Sequence, residues 1–301
     1  MYFQQSFSLY GIDWILPGAL SKAPAAAGTR APSPNLTDAL ESLLAIKRAQ
    51  GVSARWISVL GNTLKPFVRR MPPQWSEVSP DQVAAYLGTY PGLRHRNNHL
   101  AAIRQFLAYS RERGWVDCNP IAGLAPARVA AKEATAYTPE EVAAILAAAC
   151  DRARPLIALI AFAGIRTAES IRLDWADIDL RRRQVLVSAA KAKTRSRRLS
   201  PISENCAAWL TPGAGPIYPH KARGLEWDLV QALAKSGVRS RQNGLRHSFL
   251  SYRLGLTENE SAVALAAGTS PAMLFRNYRS IVTKEDAARY FALVPAPEMI
   301  S

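Results

Sequence analysis

Four segments in the second half of this 301-residue chain concentrate side chains able to act on a charged substrate. They are AGIRTAESIRLDWADID (163–179), KAKTRSRRLSPI (191–202), NGLRHSF (243–249) and AAGTSPAMLFRNYRS (266–280). Among their residues are Arg166, Lys193, Arg246 and Tyr278. A guanidinium is permanently charged and donates a two-pronged fork that matches phosphate oxygens. Lysine releases a proton when its surroundings lower its pKa, and an activated phenol is a nucleophile. Each residue also has an ordinary reading: a surface arginine, a solvated turn lysine, a snorkelling arginine, a half-buried aromatic at helical spacing from Leu274. The charge balance points to the substrate class. Lys and Arg number 38 against 23 acids, a net of +15. Residues 1–130 hold 14 basic and 7 acidic residues and the remainder 24 and 16, so the excess is +7 and +8. A polyanion lying between two basic domains fits that distribution, and nucleic acid is the usual candidate.

In this order and spacing, the four segments resemble the tyrosine recombinase (phage integrase) family. The shared features are a G-[LI]-R-x-x-E stretch, a Lys-Thr turn, an L-R-H-[ST]-F stretch and a late tyrosine. The resemblance covers roughly residues 36–292 and is looser in RHRNNHLAAIRQFLAYSRERGWVDCNP (94–120), which is similar to the family's core-binding domain. It implies that Arg166 and Arg246 stabilise the negative charge that builds on a phosphodiester under attack. Tyr278 would be the nucleophile, forming a phosphotyrosine, and Lys193 the acid that protonates the leaving 5′-oxygen. Lys191 is the rival acid, although Lys193-Thr194 matches the family turn better. Arg195, Arg197 and Arg198 are expected to contact the phosphate backbone. Bond energy held in the protein–DNA link calls for no cofactor and no metal.

Two positions depart from the family pattern. Asn243 stands where a histidine is usual, and Thr269 where histidine or tryptophan is usual. An asparagine amide can donate a hydrogen bond to phosphate but cannot exchange a proton near neutral pH. Asn243 also precedes Gly244 and the apolar face Leu245, Phe249 and Tyr252, so it is expected to cap that helix. His247 lies about 100° around the helix from Arg246 and reads as scaffold.

The elements that must position these residues form two domains. Residues 1–34 read as an N-terminal segment and flexible linker, with Ala, Pro and Ser prominent in 17–34. Residues 35–124 read as a helical DNA-binding bundle and 125–136 as an interdomain linker. Residues 137–301 read as a catalytic domain opening on a capping box, Thr138-Pro139-Glu140-Glu141, and ending in a helix. The stretch 177–202 reads as short strands joined by a basic turn. The expected class is therefore mostly α with a small β-sheet. Arg94, Arg96, His99 and Arg104 are candidate DNA contacts on the first domain.

The resemblance further implies double-stranded DNA recombination sites as substrate, a Holliday junction and a homotetramer on DNA. The amphipathic segment 282–295 is expected to pack into a neighbouring subunit. A DNA-binding regulator without efficient strand exchange is the alternative, and a topoisomerase-like nicking enzyme a third possibility. No apolar run reaches membrane-span length, and three widely spaced cysteines suggest neither zinc nor a disulfide framework, so a cytoplasmic protein is expected.

Overall fold

A computed structural model describes residues 7–9, 12–14, 33–130, 135–192, 196–219, 222–278 and 282–297. The chain divides into two compact units, residues 1–131 and 132–301. It is mostly helical, with one three-stranded and one two-stranded sheet among the described residues.

The first unit contains the strand pair β1 (Phe7–Leu9) and β2 (Ile12–Trp14), then four helices. These are α1 (Leu36–Ala49), α2 (Ala54–Arg70), α3 (Pro80–Gly88) and α4 (Leu93–Glu112). Asn35, Ser53 and Ser79 cap α1, α2 and α3 by accepting from the backbone three residues on. The helices bury one apolar stripe each, and Leu43, Leu60, Leu64, Phe67, Val83, Ile103 and Phe106 are fully enclosed. Within that core Trp75 donates its indole N–H to Ser110 Oγ at 3.0 Å, so its polar end is satisfied. The chain leaving this bundle stays attached to α4. The Asn97 amide exchanges two 2.8 Å hydrogen bonds with the backbone of Ala127, and Arg104 donates to Leu124 O at 2.6 Å. The first residues of the 125–136 stretch are thus held by side chains of their own unit.

The second unit starts on the capping box that the spacing predicts: Thr138 N donates to Glu141 Oε2 and Glu141 N to Thr138 Oγ1. There follow α5 (Pro139–Ala148), α6 (Arg154–Phe162) and the single turn α7 (Thr167–Ser170). Next come β3 (Ile178–Asp179), β4 (Gln184–Val187) and β5 (Arg198–Pro201), paired antiparallel in that order. The unit closes with α8 (Glu204–Ala208), α9 (Ala222–Ser236), α10 (Gly244–Thr257), α11 (Glu260–Ala267), α12 (Pro271–Tyr278) and α13 (Lys284–Phe291). Every residue from Leu156 to Phe162 is buried, so α6 is the central helix on which the others pack.

The last helix, α13, is seated on its own unit. Tyr290 is fully buried, stacks on Tyr252 at 4.2 Å and donates its hydroxyl to Ala161 O at 2.7 Å. Ala287 is likewise enclosed, Phe291 is partly buried, and Val294 is 59% exposed. The apolar face expected for a neighbouring subunit is therefore largely occupied within this chain.

Candidate active site

The site is built where α11 ends. Gly268 takes φ +62°, and the helix closes with Thr269 N bonding to Ala264 O and Gly268 N to Leu265 O. The next three carbonyls, of Ala266, Ala267 and Gly268, would otherwise be unpaired acceptors at the negative end of the helix dipole. Three arginines use them. Arg198 Nε donates to Ala266 O at 3.3 Å, Arg246 Nη2 to Ala267 O at 2.7 Å, and Arg166 Nη2 to Gly268 O. A Cβ on residue 268 would lie 3.1 Å from Arg198 and 3.3 Å from Arg166, so glycine serves both the turn and the close approach.

Arg166 caps α7 at the turn that follows α6. Its Nη1 donates to Glu169 Oε1 at 2.9 Å and its backbone N–H to Glu169 Oε2. Glu169 is fully buried, and both its oxygens also receive Arg198, at 3.2 and 2.5 Å. Arg246, in the first turn of α10, donates Nη1 to Gly164 O. Gly164 adopts φ +65° with the Phe249 ring beneath it. The first and third segments are thus locked together by one guanidinium and one glycine.

Asn243 does stand at the helix start, but not as a side-chain cap. It adopts φ 56°, ψ 21°, makes no capping hydrogen bond, and instead offers its carbonyl to His247 N at 2.9 Å. The next residue, Gly244, lies so close to Tyr137 that a Cβ there would fall 2.4 Å from the ring. The chain enters α10 through a left-handed turn that asparagine tolerates. The Asn243 side chain is exposed. Thr269 directly follows the carbonyl that receives Arg166. The backbone of Tyr278 closes α12, ten residues beyond Gly268; its side chain lies outside the described residues, as do Lys193 and Arg195.

Lys191, the rival acid, is held between Asp174, at 2.7 Å, and Asp177. Burial works against its ammonium, but the hydrogen bonds to the two carboxylates outweigh this and raise its pKa. That is the opposite of what a proton donor to an alkoxide needs.

The expected DNA contacts divide. Arg94 and Arg197 are exposed. Arg198 is not at the surface as expected: at 8% exposure it is an interior ion-pair member, because alternate β5 residues face inward. His99 is also interior, stacked on Tyr90 at 4.0 Å and hydrogen-bonded to Tyr86 Oη at 3.2 Å. Burial and the neighbouring His95 lower its pKa to about 4, so it is a neutral scaffold ring and not a phosphate contact. Arg96 and Arg104 are half-buried and donate to the carbonyls of Tyr90 and Leu124. Sequence periodicity missed Glu169 and Arg198 as partners; the R-x-x-E spacing was the available signal for the acid.

Comparison with known structures bears first on the fold. A λ integrase dimer bound to a COC′ core site superposes with a TM-score of 0.70 at 16% identity, over 83% of this chain and 79% of that one. A XerH site-specific recombinase bound to palindromic difH substrate gives 0.61 at 17% identity, over 78% of each chain. Residues 136–254 match the model described as the phage integrase family. A tyrosine recombinase XerC of Xylella fastidiosa (strain 9a5c) is 28% identical over 173 residues. That alignment spans 52% of this chain and 59% of the relative, so the chain covers about three fifths of that curated protein. Residues 136–254 thus match the phage integrase family, and the chain shares the fold of these recombinases. The matched span includes Arg166, Lys193, Asn243 and Arg246 and ends before Thr269 and Tyr278.

Proposed function

We propose that the protein is a site-specific DNA recombinase or integrase that cuts and rejoins DNA through a 3′-phosphotyrosine and a Holliday junction, as a homotetramer on paired double-stranded sites. The observation that carries this reading is the capture of Arg166 and Arg246 on adjacent carbonyls at the end of α11. Each keeps a fixed orientation and a charge that a phosphate can use. Preorganised charge at the reacting group is commonly the largest single catalytic term. The Tyr278 oxygen attacks phosphorus, the bond to the 5′-oxygen breaks, and Lys193 gives that oxygen its proton. Religation runs the same steps backwards with a new 5′-hydroxyl.

Two other tyrosines follow Arg246, and both are engaged. Tyr252 donates to Tyr137 O at 3.1 Å and burial raises its pKa to about 12, while Tyr290 is enclosed on Ala161 O. Tyr278 is left as the nucleophile in this scheme. The first unit would be the core-binding domain, with exposed Arg94 as a DNA contact; in the second, Arg195 and Arg197 would meet the phosphate backbone. Asn243 would offer its amide to phosphate, and Thr269 a hydroxyl.

The experiment is a suicide-substrate assay on nicked duplexes selected by the protein from a random-sequence pool. A denaturant-resistant protein–DNA adduct is expected. Tight binding without adduct would leave the regulator reading, which the missing histidine at Asn243 favours. Asn243→His is expected to raise the cleavage rate about tenfold, below the roughly 10²- to 10⁴-fold of a fully effective general acid or base, because Lys193 already serves as acid in this scheme. The left-handed backbone accommodates histidine, one of the residue types enriched there. Single-turnover rates check this, and a decrease would mean that the site works through the asparagine amide.

A further inference from the structure

Arg198 is buried too deeply to touch DNA, yet it shares one carboxylate with Arg166. Among the described residues, Glu169 receives Arg166 on Oε1 and Arg198 on both oxygens, and all three side chains meet beneath the end of α11. If Glu169 faced Arg166 alone, the two would form a neutral pair, and the cation meant for phosphate would be largely spent on its own neighbour. With Arg198 present, the acid is already compensated. Glu169 then orients Arg166 without cancelling it.

We propose that Arg198 is a positioning and charge-balancing residue that keeps Arg166 electrostatically available to a phosphate. Arg198, Arg166 and Arg246 against Glu169 leave a local excess of two positive charges. Removing Arg198 leaves one, and removing Arg198 and Glu169 together restores two. Arg198 also ties β5 to the α11 carbonyls, where Ser200 Oγ donates to the same Ala266 oxygen at 2.7 Å. A purely structural role would therefore make the double variant at least as damaged as the single one. A charge-balancing role predicts recovery.

This inference rests on the reading of the site as a DNA phosphate site, and two readouts keep the two separable. The first is the single-turnover rate of adduct formation. Arg198→Met should lower it about tenfold, short of the hundredfold or more typical of a direct donor. Arg198→Lys should retain most of it, and Glu169→Gln combined with Arg198→Met should recover most of the loss. The second readout is the salt dependence of equilibrium binding to a 30-base-pair duplex. Arg198→Met should reduce the slope of log K against log salt by about one, although Arg198 cannot reach DNA, and the double variant should return it to the wild-type value. Glu169→Gln alone should steepen the slope by about one, which decides the matter even if Arg198→Met does not fold. A folded double variant no better than Arg198→Met in either readout, or an unchanged slope for Glu169→Gln, overturns the proposal. A wild type that binds DNA without forming adduct would sink the cleavage reading while the salt slopes still decide the role of Arg198.

Discussion

Replacing Arg246 by lysine is expected to lower the cleavage rate about a hundredfold or more, although the positive charge is kept. The guanidinium spans two acceptors, Gly164 O through Nη1 and Ala267 O through Nη2, and so bridges the start of the site to its end. A lysine ammonium is a single compact donor on a flexible stem and cannot hold both while presenting a fixed face to phosphate. The loss is set by orientation, and removing one preorganised donor typically costs about 10²- to 10³-fold. DNA affinity should fall far less, because a net charge of +15 spread over the chain dominates non-specific binding. Single-turnover cleavage beside a binding titration measures both. A lysine variant with near wild-type cleavage would mean that charge alone suffices.

The second large effect is one of stability. Gly164→Ala should destabilise the second unit by about 3 kcal/mol, which sums a left-handed backbone cost of about 1 kcal/mol and an overpacking cost of about 2 kcal/mol. The added Cβ would fall 2.3 Å from Phe249 Cδ1, and Phe249 is 1% exposed with no open side to move into. Gly215→Ala is the matched control. Its φ is +74°, but nothing lies within 4 Å of where the new methyl would stand, so only the backbone cost of about 1 kcal/mol applies. The difference should separate the two melting temperatures by roughly 4–8 °C for a unit of this size. Equal melting temperatures would mean that Phe249 repacks freely. Gly164→Ala should also impair cleavage, since the same residue's carbonyl holds Arg246.

Helices and their starts were legible because their causes are local: the Thr138–Glu141 capping box and the apolar stripes of α1 and α4 are short-range patterns. The meeting of the first and third candidate segments at the end of α11 was legible because residue type and spacing carry Arg166 and Arg246. What escaped was set by contacts distant in sequence. Whether Arg198 faces DNA or Glu169 depends on which face of β5 meets α11, 68 residues away. His99 is a candidate DNA contact by its place on a charge-rich helix, and packing against Tyr86, Tyr90 and His95 makes it interior. The need for glycine at 244, beside the left-handed Asn243, is set by the Tyr137 ring, more than 100 residues away. The ion pairs of Lys191 escaped for a similar reason, its two carboxylates coming from the turn before β3.

The central claim is a covalent bond between DNA and Tyr278. The measurement is mass spectrometry of the peptide–nucleotide adduct recovered after the protein acts on a nicked duplex carrying its site, with Tyr278→Phe run in parallel. The predicted result is a 3′-phosphonucleotide on the peptide containing Tyr278, and no adduct from the phenylalanine variant despite unchanged DNA binding. An adduct on any other residue, or one that persists in Tyr278→Phe, would contradict the account.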